Sequence, residues 1–330
     1  MGNTMSGASA ENANDEKAIV EKAIETLAER FSEYDWTLYD VPGTGGTEKT
    51  WHWLGDDDED VIVCVFQGTH LHEEFHRQDF FFFNYAYRGS YNALSQRRGN
   101  MTTILEGEMC AGQPYTGYAL RPDGETECVI VGVLVRKELF FRTFLPMLTR
   151  SSRLLDFFLG PEDDVFSNKF LHLRAAPEYP YRTIIELLAV EYASGRYGSQ
   201  GVMRSLALAL TSYAMQQYEM DYPRDASEGP IGEIVSYIEA HSDSATLVGT
   251  AEEFSYHPNY LSALIKRETG KTFSQIQLEQ RMKRAGMLIC NTTLSVEDIA
   301  SMVGYSSSSN FYKAFRGYFG CTPREYANAR

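Results

Sequence analysis

Two segments near the carboxyl end of the chain place polar and basic side chains on the outward face of a predicted helix. They form two sets of four residues at helical spacing: Asn259, Ser262, Ala263 and Lys266, and Ser309, Asn310, Lys313 and Arg316. Amide and ammonium groups can pair with base edges in a DNA groove, and basic groups can neutralise phosphate. The two faces therefore predict a surface that can meet DNA at two places.

Each face belongs to a helix-turn-helix pattern. In the first pattern, Ala251 permits close contact between two helices and Ser255 occupies the turn. Pro258 begins the second helix, where its missing N–H is tolerated. The apolar residues of that helix are expected to face a core: Leu261, Leu264 and Ile265.

The second pattern begins about 50 residues later. Ser295 is the expected N-cap, with Asp298 three residues on, where a capping box prefers Glu or Gln. Gly304 supplies the turn, and Phe311 and Phe315 are expected to anchor the second helix in a core. The chain therefore contains two helix-turn-helix patterns in tandem.

Further helices are expected around and between the two patterns. Apolar periodicity predicts helices over 231–240 and 273–290, and Pro323 opens a final one. The 18 residues of 273–290 would span about 27 Å. This length is close to the separation of about 34 Å between successive major-groove faces on one side of B-DNA.

Charge is unevenly distributed along the 330 residues. The formal net charge is −15, yet residues 229–330 contain ten acidic and ten basic side chains. All of the excess acidity therefore lies before residue 229, and the global charge does not exclude DNA binding by the last hundred residues. Because an acidic partner domain repels phosphate, we expect modest nonspecific affinity.

The composition is that of a globular protein with two domains. No run of about 18 apolar residues predicts a membrane span, and the polar, acidic beginning does not resemble a signal peptide. Five cysteines lack CxxC spacing, which fits reduced thiols and disfavours a zinc site or a disulfide framework. We therefore expect a cytoplasmic protein.

Four regions are expected along the chain. Residues 1–14 are predicted to be disordered, and 15–135 to form a helix followed by short strands punctuated by glycine. The clearest strand runs are 61–66, 80–87 and 129–135. Apolar periodicity predicts a helical region over 136–222, and linker composition marks the start of the helix-turn-helix domain at 223–330. The predicted fold class is α+β: a β-sandwich or small barrel with flanking helices, then an all-α domain.

One histidine has the spacing of the first cupin motif, His-x-His-x3-Glu-x6-Gly. His76 and Gly89 match this motif, whereas Gln78 and Phe82 stand where His and Glu are usual. A metal needs several converging ligands, so one histidine is too few. The histidines at 70 and 72 are expected on the surface or in a loop. The sequence therefore predicts no metal, no cofactor and no catalytic residue.

Four segments together resemble the AraC/XylS family of transcription regulators. They are KRETGKTF at 266–273, NTTLSVEDIA at 291–300, VGY at 303–305 and FGCTPREY at 319–326, within about 100 residues. The resemblance implies that both recognition helices contact bases and phosphates. By position, the implied base contacts are Asn259, Ser262, Ala263, Ser309 and Lys313. The implied phosphate contacts are Lys266, Arg267 and Arg316.

The resemblance also bears on the region before the tandem. Many AraC-type regulators carry a cupin-like barrel that binds a small effector without a metal, and alternate strand residues line such an interior. The candidate lining residues are His76, Gln78, Phe80, Phe82, Asn84 and Tyr118. A plain core is the alternative for the Phe run at 80–83. The helices within 183–218 resemble linker helices that often dimerise, with internal packing as the alternative.

The favoured hypothesis is an effector-responsive, sequence-specific DNA-binding transcription regulator without enzymatic activity. Its expected partners are double-stranded promoter DNA, a small-molecule effector and a second copy of the chain, with RNA polymerase as a further candidate. Two alternatives stay open: a metal-dependent cupin enzyme, and an interaction protein whose DNA-binding tail has decayed.

Overall fold

A computed structural model describes residues 5–40, 49–71, 75–94, 101–114, 116–122, 124–144, 170–221, 229–291 and 294–328. These residues fall into two compact units. The N-terminal unit consists of the described residues of 1–137 and 162–221, and the C-terminal unit of those of 138–161 and 222–330. The first combines strands and helices and the second is helical, so the predicted α+β class is confirmed. The segment of linker composition covers 221–230, and its residues 222–228 lie outside the described residues.

The first helix, α1, runs over Met5–Arg30 and continues into a 3-10 turn, Phe31–Glu33. The predicted apolar stripe consists of Ile19, Ala23, Ile24, Leu27 and Phe31. Ala23, Ile24 and Leu27 are buried, whereas Ile19 is 56% exposed. For residues 5–14, helix replaces the predicted disorder. That stretch contains no proline and several alanines, so nothing in it stops the helix from extending toward the amino end.

The N-terminal unit contains eleven strands among its described residues. In chain order they are β1 (Tyr39–Asp40), β2 (Lys49–Trp51), β3 (Val61–Gly68), β4 (Arg77–Gln78), β5 (Phe80–Arg88), β6 (Tyr91–Leu94), β7 (Met101–Ile104), β8 (Met109–Gly112), β9 (Ala119–Pro122), β10 (Cys128–Arg136) and β11 (Leu171–Leu173). The strand runs predicted at 61–66, 80–87 and 129–135 are therefore confirmed. The short strand β11 lies in the region predicted to be helical.

The strands form three sheets. The largest is antiparallel with the order β11-β8-β5-β10-β3, the second has the order β7-β6-β9, and the third has the order β1-β2-β4 with a parallel β2–β4 pair. An antiparallel bridge joins His76 and Tyr118. Closure into a cupin-like barrel stays a prediction.

Strands β5 and β10 form the centre of the large sheet and are buried on both faces. All four residues of the Phe run at 80–83 are buried. Alternate residues of a strand point to opposite faces, and both faces of β5 are covered. Phe80 and Phe82 join the aromatic core cluster that also contains Trp51 and Tyr118. At least part of the run therefore fills the core.

Two long helices follow the strands, α2 (Tyr181–Ser194) and α3 (Ser199–Asp221). Their apolar faces are buried inside the N-terminal unit through residues such as Ile185 and Leu210. Hydrogen bonds made by the Gln200 side chain connect α3 to the start of the edge strand β3. Its Oε1 accepts from the N–H of Asp60 and Val61 at 3.0 and 3.1 Å, and its Nε2 donates to the Val61 carbonyl at 2.9 Å. Internal packing thus occupies much of both helices.

The C-terminal unit contains seven further helices among its described residues. They are α4 (Gly229–Ala240), α5 (Leu247–Glu253), α6 (Pro258–Thr269), α7 (Phe273–Asn291), α8 (Val296–Met302), α9 (Ser308–Phe319) and α10 (Pro323–Asn328). We call α5–turn–α6 the first motif and α8–turn–α9 the second motif. Helix α7 joins them and spans about 28 Å over its 19 residues. The tandem predicted from the sequence is confirmed.

Before α4, the chain forms a short helical stretch at Lys137–Leu139 followed by π-helix at Phe140–Phe144. Apolar spacing predicts a helical stripe of Leu139, Phe140, Phe144 and Leu148 in this region. Leu148 lies outside the described residues. No helix in the described part of the chain is both long enough and apolar enough to cross a membrane.

Candidate nucleic-acid interface

The turn of the first motif is built around a residue in the left-handed backbone region. Ser255 has φ of 57°, the one non-glycine residue with positive φ among the described residues. The N–H of Tyr256 donates to the Ala251 carbonyl at 2.7 Å and closes the turn. A side chain at such a position is strained by about 1–2 kcal/mol relative to an ordinary backbone conformation.

The second motif repeats this turn with glycine. Gly304 has φ of 86°, and the N–H of Tyr305 donates to the Ala300 carbonyl at 2.8 Å. A Cβ atom added to Gly304 would lie 2.2 Å from the Asp243 carbonyl oxygen. Glycine is therefore required here for two reasons, its backbone conformation and the close approach of another segment.

The end of each second helix is also repeated. Helices α6 and α9 stop at left-handed glycines, Gly270 with φ of 73° and Gly320 with φ of 77°. A capping box then opens the next helix in both places: Thr272 with Gln275, and Thr322 with Glu325. The predicted N-cap at Ser295 is confirmed as well, since its Oγ accepts from the Asp298 N–H at 3.1 Å.

The inner faces of α6 and α9 are fixed by buried apolar side chains. Leu261, Ile265, Phe311 and Phe315 are each fully buried. Of the residues implied as base contacts, four are exposed and one, Ser262, is half-buried. The exposed ones are Asn259, Ala263, Ser309 and Lys313. Each helix thus presents a polar face opposite its anchored face.

The three implied phosphate contacts, Lys266, Arg267 and Arg316, are all exposed. Lys266 Nζ donates to the Gly270 carbonyl at 2.6 Å, and Arg267 Nε donates to Glu268 Oε1 at 2.7 Å. The hydrogen bond that Arg267 donates to the Glu268 carboxylate raises the pKa of its guanidinium above the ordinary value. To meet phosphate, both residues of the first motif must leave or share these local partners.

Two tyrosines on these helices were missed by the sequence analysis. Tyr260 is 52% exposed and Tyr312 is 37% exposed. The Tyr260 ring stacks on Tyr256 with 5.6 Å between ring centres, which holds it at the surface. Helical spacing could have found them, because each directly adjoins a buried anchor residue. A phenol can donate to phosphate, and its ring can pack against a sugar or a thymine methyl.

The candidate effector-pocket residues of the N-terminal unit are all buried. Phe80, Asn84 and Tyr118 line one cavity of about 30 Å³, together with Trp36 and Trp51. Such a volume accommodates about one water molecule. The Asn84 Nδ2 has no hydrogen-bond partner among the described residues, so the cavity has one amide donor within aromatic walls.

The other three candidates pack around this cavity instead of lining it. The His76 ring lies 3.6 Å from the Trp51 ring, measured between centres, and Phe82 stacks on Tyr118 at 4.2 Å. Gln78 Nε2 donates to the Thr116 carbonyl at 3.3 Å. In the part of the chain that the structure describes, no three His, Cys, Asp or Glu side chains converge as metal ligands, and the histidine at 72 lies outside it.

Comparison with known proteins assigns the class of the C-terminal unit. Residues 250–329 match the family model described as "Helix-turn-helix domain". The chain is 41% identical over 81 residues to the HTH-type transcriptional regulator GadX of Escherichia coli (strain CFT073), covering 24% of this chain and 29% of GadX. It is 34% identical over 104 residues to the uncharacterized HTH-type transcriptional regulator YtdP of Bacillus subtilis, covering 31% and 14% of the two proteins.

A solved structure gives a similar sequence match. The C-terminal domain of AraT, a response regulator from Geobacillus stearothermophilus, is 35% identical to this chain. The match covers 31% of this chain and 87% of that domain, with a TM-score of 0.30. Residues 250–329 are thus an AraC-type helix-turn-helix domain, as the resemblance implied. The matched segment spans less than a third of either curated relative.

Proposed function

We propose that the chain is a transcription regulator that binds promoter DNA sequence-specifically through both motifs and has no enzymatic activity. One observation carries the proposal: α6 and α9 each anchor one face in a core while exposing polar and basic side chains on the other. The proposed base contacts are Asn259, Ser262, Ala263, Ser309 and Lys313. The proposed phosphate contacts are Lys266, Arg267 and Arg316.

The test uses the full chain and a pool of random DNA duplexes. Rounds of selection should enrich a defined site, and affinity for that site should fall as salt rises, because phosphate contacts release counterions. Lys17→Ala is a charge-matched control, since Lys17 is an exposed cation of the N-terminal unit. It should leave affinity unchanged, whereas Lys313→Ala should weaken it. Absence of any enriched site would refute DNA binding.

The same measurements separate the alternatives. If Asn259→Ala and Lys313→Ala both leave affinity for the enriched site unchanged, the proposed contacts are wrong, and an interaction protein with a decayed DNA-binding tail gains support. Stoichiometric iron, manganese or zinc in the purified protein would instead favour a cupin enzyme.

We also propose that the N-terminal unit binds a small organic effector at the aromatic cavity. The unpartnered Asn84 amide supports this, because a ligand oxygen could accept its hydrogen bond. Since the cavity is only about 30 Å³, a ligand must displace lining side chains such as Phe31 and Trp36, which are half-buried. Small phenols and sugars should raise the melting temperature of the wild type but not of Asn84→Leu. Asn92→Leu, on β6, the next strand along the chain, is the control and should keep the response.

A homodimer is proposed through the exposed apolar side chains of α2 and α3. Leu187 is 50% exposed and Val202 is 48% exposed, whereas the opposite faces of both helices pack internally. Sedimentation of the wild type should show a dimer that Leu187→Glu dissociates, and a monomeric wild type would contradict the proposal. RNA polymerase is a further proposed partner, testable by transcription from the enriched site.

A further inference from the structure

The segment between α4 and α5 is held by side chains of the connecting helix α7. Arg281 donates from Nε to the Ser242 carbonyl at 2.5 Å and from Nη2 to the Asp243 carbonyl at 3.0 Å. One turn earlier on the same helix, Gln277 Nε2 donates to the Ala245 carbonyl at 2.7 Å. Thr246 then caps α5. Because this segment leads directly into α5, the contacts fix the first motif on α7.

The same arginine also faces the second motif. Its guanidinium carbon lies 5.3 Å from the centre of the Tyr305 ring, a cation–π contact. Burial raises the pKa of the Tyr305 phenol and Arg281 partly opposes that rise. Gly304, the neighbouring turn residue, packs directly against the Asp243 backbone. The turn of the second motif and the segment that opens the first motif therefore touch. Arg281 donates hydrogen bonds to that segment and makes a cation–π contact with the turn.

We infer that these five residues, Arg281, Ser242, Asp243, Gly304 and Tyr305, form a motif clasp that sets the angle and distance between the two recognition helices. The inference rests on the proposed function, since the distance between the two recognition helices affects binding only when both helices contact DNA. It makes Arg281 a positioning residue: it contacts no base and instead determines which separation between two half-sites the chain accepts.

The geometry of DNA makes such a constraint measurable. One inserted base pair moves two half-sites apart by about 3.4 Å and rotates one relative to the other by about a tenth of a turn. A rigid pair of recognition helices cannot follow that change without losing contacts. A pair that has lost the Arg281 contacts can reorient, because this side chain no longer holds the segment before α5 against the turn of the second motif.

The test compares Arg281→Met in the full chain with Lys283→Met. Methionine keeps an apolar stem of similar length but removes both hydrogen bonds and the cation–π contact. Lys283 lies on the same helix, is exposed, and forms an ion pair with Glu279 at 3.3 Å. Arg281→Lys is a second variant that keeps the charge without the forked geometry.

The first readout needs no DNA. Spin-labelled unnatural residues replace Glu252 and Ser301, which are exposed and occupy equivalent positions in α5 and α8. Pulsed electron spin resonance should give one narrow distance distribution for the wild type and for Lys283→Met. Arg281→Met should broaden it at least about twofold, and Arg281→Lys should broaden it less. An unchanged width in both Arg281 variants that melt as folded proteins would overturn the clasp.

The second readout uses the enriched duplex with zero, one or two base pairs inserted between its halves. The wild type should lose at least about tenfold in affinity with the first insertion, the equivalent of one lost contact. Arg281→Met should lose less than about threefold. If both lose equally, the clasp does not set the spacing. If the wild type binds no duplex, the proposed function fails, and the distance measurement still decides whether the clasp exists.

Discussion

The two helix-turn-helix motifs share a backbone but differ in the residues that support it. At the turn, Ser255 of the first motif and Gly304 of the second occupy the same left-handed conformation. One position before the buried alanine of each first helix, the first motif has Thr250 and the second has Ile299, both buried. The Thr250 hydroxyl has no hydrogen-bond partner among the described residues.

This comparison shows that the same turn conformation can be stabilised to different extents in two motifs of one chain. The first motif bears backbone strain and an unsatisfied hydroxyl, each of which destabilises the folded state by about 1 kcal/mol or more. The second motif has the residue types that avoid both. We therefore expect the first motif to open more readily and to contribute less to DNA affinity than the second.

The largest effect is expected from Gly304→Ala. The new Cβ would bear the left-handed strain and also collide with the Asp243 backbone, so the C-terminal unit should lose more than about 3 kcal/mol of unfolding free energy. Gly320→Ala is the matched control. It has a similar φ but open space around the Cβ position, so it should lose only about 1 kcal/mol. Calorimetry measures both, and equal losses would show that the collision is relieved cheaply.

The second motif should contribute more to DNA affinity than the first. Lys313→Ala should weaken binding to the enriched duplex by about tenfold or more, the usual effect of losing a base contact. Asn259→Ala in the first motif should weaken it by only about threefold, since its helix offers Ala263 where the second offers Lys313. Fluorescence anisotropy at constant salt measures both. A larger loss for Asn259→Ala would reverse the ranking of the motifs.

Thr250→Val should stabilise the first motif. Valine has nearly the same shape and removes a buried hydroxyl that lacks a partner, so unfolding free energy should rise by about 1 kcal/mol. Thr269→Val is the control, because that hydroxyl donates to the Ile265 carbonyl at 2.7 Å and its removal should destabilise. Hydrogen exchange in α5 and α6 reports both. No gain for Thr250→Val would mean that water satisfies the hydroxyl.

The smallest effect is expected from Ser255→Gly. Relief of the left-handed strain is partly offset by the greater backbone entropy of glycine in the unfolded chain, leaving a gain of about 0.5 kcal/mol. Ser255→Ala keeps a Cβ and should give no gain. If chemical denaturation gives Ser255→Ala a higher unfolding free energy than Ser255→Gly, the turn is not strained.

Much of the C-terminal unit could be predicted from local sequence. The N-cap at Ser295, the helix-opening Pro258, the turn glycine and the buried stripes depend on contacts within a few residues, and pattern reasoning covers that range. The exposed Tyr260 and Tyr312 were not predicted, because the outward face was identified only by its polar and basic residues. For the N-terminal unit, strand positions were predictable, but the helix over 5–14 was not, since the polar composition resembled that of a disordered tail.

By itself the sequence determined the helices, their caps, the two turns and the faces that they present, because each depends on near neighbours along the chain. Only the tertiary structure determined which segments that are distant in sequence contact each other. It placed Asp243 against Gly304 and Arg281 against both Asp243 and Tyr305, bound Gln200 to an edge strand far away in sequence, and left an aromatic cavity of about 30 Å³. Those contacts depend on the whole fold, so residue spacing carries no local signal for them.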